Sequence, residues 1–334
     1  MKSILKTLQA CLLLFLVISC AKEEMPTQEV APLAQQPFVE QQKLGGKEQV
    51  QSLSSNAQIT SHFESWLNSN GYGSFDFAGD PGESFGGKTS NGTPVTKHPV
   101  IFIHGNGDKA TSWEDSYDYF ISQGYTNAEL YAMTWGPANP LLASSQYHSQ
   151  AYLNRVRSFI QAVKAYTGAS EVDVIGHSMG VTLGRKAIQG GTSYDAAVGG
   201  NFNLGSSLTY IDAFVGIAGA NRGLVSCYYA PGTATCDDRN GFYPGYLFWG
   251  SGPFGVSDLL DDLNSNPGAE ADHVYSIWSS ADQIVGYGCV VYGQITCRIP
   301  GQDGEKKFST YGHFGVRDLS VYNQLRMVRD HATN

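Results

Sequence analysis

Short apolar runs alternate with longer amphipathic segments along this chain from Pro99 onward. Continuous apolar runs of this length are typical of parallel strands that are buried on both faces of a sheet. We therefore predict strands in the segments PVIFIH, AELYAMTW, EVDVI, IDAFVGIAGA and HVYSIWS.

The segments between the apolar runs show helical spacing. The clearest spans residues 148–166, and its apolar face consists of Leu153, Val156, Ile160 and Val163. Further helices are predicted over 112–123, directly after Ser178, and from Val316 to Val328. Because strands and helices alternate, we predict an α/β fold with a doubly wound, mostly parallel sheet.

The N-terminus has the pattern of an export signal. Lys2 and Lys6 precede CLLLFLVIS, an apolar run too short to span a bilayer as a mature helix. The run ends at Ser19-Cys20, which resembles a bacterial lipobox. Residues 1–19 are therefore predicted to be a lipoprotein signal peptide, with Cys20 as the lipidated first mature residue. An ordinary cleavable signal with an incidental cysteine is the alternative.

The chain after the signal divides into a tether and a folded domain. Residues 20–57 are rich in Gln, Glu, Pro and Ser, which predicts a flexible tether, whereas 58–334 have the composition of one globular domain. Lipid on Cys20 would bring the protein into contact with a membrane. We expect the outer membrane or cell surface of a Gram-negative bacterium, with secretion as the alternative.

Charge and cysteine content narrow the class of protein. The net charge of −9 gives no electrostatic reason to bind nucleic acid. Of six cysteines, one leaves with the signal and Cys20 is lipidated, so four remain for an exported protein to pair. Nearest-neighbour pairing predicts two short disulfide loops, formed by Cys227 with Cys236 and by Cys289 with Cys297. A zinc site is the alternative, but these four lack C-x₂-C spacing and interleaved histidines.

The strongest chemical motif is Gly176-His177-Ser178-Met179-Gly180, a G-x-S-x-G pattern between a predicted strand and a predicted helix. A serine hydroxyl is a poor nucleophile and must be held on a sharp turn within reach of a base. The two glycines remove side chains that would collide in such a turn. The motif predicts a serine hydrolase of the α/β-hydrolase fold with Ser178 as nucleophile; a glycine-rich turn without function is the alternative.

Acid and base are expected after the nucleophile in the chain of such a hydrolase. Asp282 follows the predicted strand HVYSIWS, and His313 lies in YGHFG just before the last predicted helix. We therefore predict a triad of Ser178, Asp282 and His313. The rival acids, none of which follows so clear a strand, are Asp303, Glu305 and the acidic residues of 258–262.

An oxyanion hole requires two fixed backbone N–H donors. Met179, the residue after the nucleophile, is the candidate for one, and Asn106 in the loop HGNGD is the candidate for the other. The flanking Gly105 and Gly107 allow this backbone to approach a substrate oxygen. The chemistry needs no metal and no organic cofactor, and we expect neither.

Several segments together resemble one known family, namely HPVIFIHGNGD, VKAYTG with EVDVIGHSMGV, IAGANRGLVSCYY with the later Cys236, and GHF. They are similar to the lipase-like extracellular depolymerases of polyhydroxybutyrate, which are related to bacterial lipases. The resemblance spans residues 97 to 320 and implies an α/β-hydrolase that cleaves a hydrophobic polyester. This chain departs from it at Gly176, where the relatives have alanine, and in its lipid tether, since those depolymerases are freely secreted.

An insertion of Gly, Pro and aromatic residues, over about 223–270, is expected to cap the active site in this fold. In the similar depolymerases the Cys-Tyr-Tyr segment lies by the catalytic cleft, which implies that Tyr228 and Tyr229 contact substrate. Trp135, at the end of the second predicted strand, is a further candidate. The alternative is that the cap aromatics only pack against one another.

The function expected from these features is cleavage of polyhydroxyalkanoate-type polyesters outside the cytoplasm through an acyl-enzyme on Ser178. A triacylglycerol lipase or carboxylesterase would use the same triad, so the motifs do not separate these two. A non-catalytic surface-binding lipoprotein on a hydrolase scaffold is a third hypothesis. Such a protein would be free to lose the triad, whereas this chain keeps all three residues.

Overall fold

The computed structural model describes residues 58–79 and 83–334. The predicted signal peptide, the lipidation site at Cys20 and the tether over 20–57 lie outside the described residues. Among the helices that are described, none combines the length and the apolar character needed to cross a membrane.

Twelve strands are found in the described part of the chain. They are β1 (Val100–Ile103), β2 (Leu130–Met133), β3 (Val172–His177), β4 (Thr192–Asp195), β5 (Gly200–Asn203), β6 (Ile211–Ile217), β7 (Tyr246–Phe248), β8 (Ser251–Phe254), β9 (His273–Ser279), β10 (Val290–Val291), β11 (Gln294–Ile295) and β12 (Gly304–Phe308).

Six of these strands form one parallel sheet in the order β12-β9-β6-β3-β1-β2. The chain adds β2 on one side of β1 and then crosses to β3 on the other side, from which it proceeds outward. This reversal is the topological switch point of a doubly wound sheet, where ligands bind at the carboxyl ends of the strands. The carboxyl ends of β1 and β3 carry the predicted oxyanion loop and the predicted nucleophile.

Eight α-helices are present over the same residues. They are α1 (Ser61–Ser69), α2 (Glu114–Ser122), α3 (Gln150–Thr167), α4 (Met179–Gln189), α5 (Val225–Tyr229), α6 (Asp258–Ser265), α7 (Gly315–Asp318) and α8 (Val321–Asp330).

Two apolar clusters cover the two faces of the sheet. Alternate residues of β1 divide between them: Ile101 and Ile103 pack with α1, α3 and α4, whereas Val100 and Phe102 pack with α2 and α8. Residues of one strand point alternately to opposite faces, so this division shows helices on both sides. With the parallel strand order, it establishes the predicted α/β-hydrolase fold.

Two predictions about elements are wrong in detail. The sequence GEKKF forms β12, an edge strand whose polar residues gave no apolar signal. The single helix predicted from Val316 to Val328 is two helices, α7 and α8, separated at Leu319 and Ser320. The Gln324 side chain donates to the Arg317 carbonyl at 2.6 Å, and this bond satisfies a group exposed by the break.

The predicted cap region contains α5, a 3₁₀ turn at Ala234–Cys236, the β7–β8 hairpin and α6. Both predicted disulfides are confirmed, Cys227–Cys236 within the cap and Cys289–Cys297 after β9. The Thr235 hydroxyl lies 2.6 Å from the carbonyl oxygens of both Ala143 and Gln146, so the 3₁₀ turn is tied to the segment after β2.

Candidate active site

Ser178 lies in the sharp turn between β3 and α4. Its backbone adopts φ 55° and ψ −124°, a conformation that L-residues rarely adopt. The surrounding contacts explain the two glycines of the motif. A Cβ on Gly180 would lie 2.3 Å from the Ile103 carbonyl oxygen, and one on Gly176 would lie 2.8 Å from the Gly180 carbonyl oxygen. Any larger residue would force the turn apart, which is the reason inferred from the sequence.

His313 and Asp282 form a buried hydrogen-bonded pair. The His313 Nδ1–H donates to Asp282 Oδ2 at 2.7 Å, and both side chains are almost completely shielded from solvent. The other carboxylate oxygen, Oδ1, accepts the backbone N–H groups of Ile284 at 2.8 Å and Val285 at 3.0 Å. The carboxylate therefore has a fixed orientation, and it fixes the tautomer of the imidazole.

The nucleophile and the pair open onto one cavity, which Ser178 and His313 both line. No hydrogen bond joins the Ser178 hydroxyl to His313 among the bonds of the described residues. Serine–histidine contacts are often loose without substrate and tighten in the reacting complex. The arrangement thus brings together the three residues predicted from the sequence.

The main chain of His313 is held by side chains from two other parts of the chain. His177 donates its Nε2–H to the His313 carbonyl oxygen at 3.0 Å, and Gln283 accepts the His313 backbone N–H at 3.1 Å. His177 precedes the nucleophile and is fully buried. No pattern in the sequence indicated these roles for His177 and Gln283, because the bonds join segments that are far apart in the chain.

The two proposed oxyanion donors also border this cavity. Neither the Asn106 N–H nor the Met179 N–H has a partner among the backbone bonds of the described residues. Met179 is the first residue of α4, so the dipole of that helix adds to the field at its N–H. The Asn106 side chain turns away and donates to the Ala143 carbonyl at 2.9 Å, which positions the loop.

Trp135 is not a substrate contact, contrary to the sequence prediction. Its side chain is only 2% exposed and is not among the residues that line the cavity. The indole stacks on the His104 ring with centroids 4.9 Å apart and donates Nε1–H to the His104 carbonyl at 2.8 Å. Since His104 directly precedes Gly105 and Asn106, these contacts of Trp135 hold the start of the oxyanion loop in place.

The predicted contacts Tyr228 and Tyr229 do not line the catalytic cavity either. They are 46% and 78% exposed and border a separate, smaller pocket with Val225, Leu247 and Tyr292. Ser226 and Ala230, on either side of them along the chain, do reach the catalytic cavity. Helix α5 therefore turns its tyrosines away from Ser178, a direction that the sequence did not indicate.

The cavity has a volume of about 470 Å³ and a mainly apolar wall. Its size falls within the range of small-molecule sites. The apolar wall consists largely of Pro140, Ala143, Met179, Ala220, Leu224, Phe242, Ile284, Val285 and Phe314. A substrate with an apolar acyl portion fits such a wall, because burial of apolar surface is favourable.

Four of the rival acids bond groups other than His313. Asp303 Oδ2 accepts the Val274 backbone N–H at 2.7 Å, and Glu305 pairs with Arg298 at 2.6 Å. In α6, Asp258 and Asp262 pair with Arg239 and Lys186.

The pKa values of three buried histidines predict how the free energy of unfolding depends on pH. Burial lowers the pKa of His104 and His148 to about 4 and holds the pKa of His177 well below 6.5. Each stays neutral when folded, whereas the unfolded chain takes up protons below about pH 6.5. Stability is therefore expected to fall from pH 6.5 to pH 4, by up to about 1.4 kcal/mol per pH unit for each histidine. Burial raises the pKa of Asp173, which offsets part of this loss.

Urea unfolding followed at pH 7, 6 and 5 checks this expectation. The midpoint should move to lower urea as the pH falls. An unchanged or rising midpoint between pH 6.5 and pH 5 would contradict the assignment of neutral buried imidazoles.

The doubly wound parallel sheet, the nucleophile turn and the buried acid–base pair define an α/β-hydrolase. The family model for Lipase (class 2) matches residues 97–326, more than half of the chain, and the chain belongs to this family.

Solved structures similar to this chain include two lipases. Lipase B of Aspergillus fumigatus matches with 15% identity and a TM-score of 0.43, over 70% of this chain and 52% of the other. The mature form of the Bacillus licheniformis lipase BlEst2 matches with 11% identity and a TM-score of 0.45, over 73% of this chain and 96% of the other. This chain thus spans about half of the fungal protein's length.

Proposed function

We propose that this protein is an exported serine hydrolase that cleaves ester bonds of a polyhydroxyalkanoate-type polyester through an acyl-enzyme on Ser178. The observation that carries the catalytic part is the buried Asp282–His313 hydrogen bond of 2.7 Å at the cavity that Ser178 lines. An imidazole held in this way can take a proton from a serine hydroxyl.

In the first half of the reaction, Ser178 Oγ attacks the ester carbonyl and its proton passes to His313 Nε2. The carbonyl oxygen becomes an oxyanion that accepts the N–H groups of Asn106 and Met179. When the bond between the carbonyl carbon and the leaving oxygen breaks, His313 donates the proton to that oxygen. The alcohol end of the chain leaves, and the acyl group stays on Ser178.

In the second half, water attacks the acyl-enzyme and gives its proton to His313. The bond to Ser178 Oγ breaks, and His313 protonates the serine again. Asp282 stays ionised throughout and stabilises the imidazolium that forms in each half. The products are a carboxylic acid and the free enzyme.

Exposed aromatic and leucine side chains favour a substrate that is a surface rather than a dissolved molecule. The β7–β8 hairpin of the cap carries the largest group: Phe248 is 62% exposed and Trp249, at its tip, is 92% exposed. Leu141, next to the cavity-lining Pro140, is 90% exposed. Large exposed apolar side chains that are grouped together, as on this hairpin, are typical of binding sites. Adsorption through such groups would bring an insoluble polyester to Ser178.

The second candidate function is that of a triacylglycerol lipase or carboxylesterase, and the match to the Lipase (class 2) family supports it. An apolar cavity of about 470 Å³ accepts the acyl chain of either kind of ester.

Hydrolysis of three substrates by the purified mature protein separates these candidates. The substrates are amorphous poly-3-hydroxybutyrate, an emulsified triglyceride and p-nitrophenyl butyrate. Release of 3-hydroxybutyrate oligomers would support the polyester. Triglyceride cleavage without oligomer release would assign the protein as a lipase, and turnover of the nitrophenyl ester alone would assign a carboxylesterase.

Removing the apolar tip of the hairpin is expected to weaken attack on insoluble polymer. In the double variant Phe248→Ser, Trp249→Asn, polymer hydrolysis should fall by about tenfold, because the apolar area available for adsorption is lost. Asparagine suits position 249, where φ is 50°. Turnover of p-nitrophenyl butyrate should stay within about twofold, since neither residue lines the cavity.

The matched control for the hairpin variant is Tyr322→Ser, which removes a half-exposed aromatic from α8 outside the cap. This variant should keep both activities. Equal losses on polymer and on soluble ester in the hairpin variant would show that the hairpin does not act as an adsorption surface.

Export and lipidation at Cys20 are part of the proposal and are supported by the sequence pattern alone. Mass spectrometry of the mature N-terminus tests them. A diacylglyceryl-modified Cys20 is expected in the wild type, and Cys20→Ser should release the protein from the membrane fraction. An unmodified N-terminus in the wild type would assign an ordinary cleaved signal.

A further inference from the structure

Titratable side chains gather at the amino edge of the sheet, opposite the edge that carries Ser178. In the parallel register, Val100 of β1 pairs with Asp173 of β3, and Ala213 of β6 pairs with His273 of β9. His98 lies two residues before β1, and Asp212 lies next to Ala213. The amino ends of four neighbouring strands thus place two aspartates and two histidines at one edge.

A third histidine comes from the end of the last helix. His331 caps α8 in a left-handed conformation, with φ 49° and ψ 44°. This turn brings its ring onto that of His273, with centroids 3.7 Å apart.

Asp212 is the centre of the cluster. Its Oδ2 lies 3.0 Å from His98 Nδ1 and 3.1 Å from His331 Nε2, so two imidazoles from distant parts of the chain meet at one carboxylate oxygen. The other ring nitrogen of His98 faces Glu171, 3.7 Å from its Oε2.

Asp173 provides an independent sign of a ligand. Its side chain is 1% exposed, and its Oδ1 accepts the Ala213 backbone N–H at 3.1 Å. Its Oδ2 is buried and has no hydrogen-bond partner among the residues that the structure describes. An unpaired buried carboxylate oxygen is costly, and a cation next to it removes that cost.

The donor set identifies the kind of cation. One ligand atom each of His98, Asp173 and Asp212 lies within 4.8 Å of the other two, and the same holds for Asp212, His273 and His331. Mixed imidazole and carboxylate donors suit Zn²⁺ and its first-row neighbours, whereas Ca²⁺ and Mg²⁺ prefer oxygen ligands alone.

We propose that the amino edge of the sheet binds one divalent transition-metal ion of the Zn²⁺ type, with His98, Asp173 and Asp212 as ligands. His331 bonds the Asp212 carboxylate and orients it. The site lies at the end of the strands opposite the triad, so the ion has a structural role. It joins the segment before β1 to the amino ends of β3 and β6. This inference is independent of the proposed ester substrate.

Metal binding to untagged, chelator-treated protein tests the proposal. Calorimetric titration with Zn²⁺ should give one site per chain, and Co²⁺ should give the visible absorption bands of tetrahedral coordination. At free Zn²⁺ about a hundredfold above Kd, the Tm should rise by roughly 5–10 °C. Turnover of p-nitrophenyl butyrate below the Tm should not change on chelation.

Variants locate the ion. Asp212→Asn and His98→Gln should each weaken Zn²⁺ binding at least tenfold and remove the Co²⁺ bands, and His331→Gln should weaken binding by about tenfold through the loss of its bond to Asp212. If Asp212→Asn does not fold, His331→Gln and His98→Gln carry the same test. The matched control is His62→Gln, which changes a histidine bonded to Tyr166 and Asn91 outside the cluster and should bind Zn²⁺ as the wild type does.

Two results would overturn the proposal. One is the absence of stoichiometric Zn²⁺ binding by folded wild-type protein. The other is unchanged affinity in both Asp212→Asn and His331→Gln. Either result would show that the cluster is held by proton-mediated histidine–carboxylate contacts.

Discussion

Replacing Ser178 with alanine is expected to lower kcat/KM for p-nitrophenyl butyrate by at least about 10⁴-fold, because no acyl-enzyme can form. The fold should persist, since alanine keeps the Cβ and the backbone of the turn, and the hydroxyl makes no hydrogen bond among those of the described residues. A fluorophosphonate probe should label the wild type and not the variant.

Ser144→Ala is the matched control, because Ser144 lines the same cavity and has no part in the mechanism. It should keep near-wild-type turnover and labelling. Substantial activity in folded Ser178→Ala would remove Ser178 from its role. Failure of folded wild-type protein to label or to turn over any ester would instead favour a non-catalytic binding protein.

Replacing Asp282 with asparagine is expected to lower kcat by about 10³–10⁴-fold. The carbonyl oxygen of the new amide would keep the bonds from the backbone N–H groups of Ile284 and Val285. Its NH₂ group would then face His313 Nδ1, which must become an acceptor. The imidazole proton would move to Nε2, so the ring could no longer accept the proton of Ser178.

Asp303→Asn is the control for this effect, because Asp303 is a rival acid from the sequence that instead bonds the Val274 backbone. It should retain activity within about tenfold. The kcat values of both variants, with circular dichroism to verify folding, check the assignment. A loss smaller than tenfold in Asp282→Asn would contradict it.

Local patterns were enough to predict the nucleophile turn and the central strands. The turn depends on Gly176 and Gly180, whose Cβ atoms would meet backbone oxygens. Strands β1 and β2 have apolar residues at every position, so their signal needs no knowledge of the fold. Asp282 could be chosen because the carboxyl ends of parallel strands meet at one edge.

Prediction from the sequence failed where the direction of a side chain depends on packing between distant segments. Trp135 was predicted to contact substrate, but stacking on His104 buries it below the oxyanion loop. Tyr228 and Tyr229 were predicted at the cleft, but α5 presents them to a neighbouring pocket. Aromatic content indicates a surface able to bind apolar groups, and only the orientation of the helix decides which cavity they border.

The contacts that position the base, His313, also could not be predicted from the sequence. The bond from His177 to the His313 carbonyl joins residues 136 positions apart, and no pattern in the sequence marks this contact. Strand β12 was missed for a related reason: GEKKF lies at the edge of the sheet and keeps its polar residues partly exposed.

The two disulfides close short loops in the cap and in the segment after Asp282, so oxidation of the four thiols is expected to stabilise the catalytic centre. Cys227–Cys236 anchors the roof of the cavity, and Cys289–Cys297 closes the polypeptide that follows the acid. A chain synthesised where thiols stay reduced would leave both walls loosely tethered, even with its sheet complete.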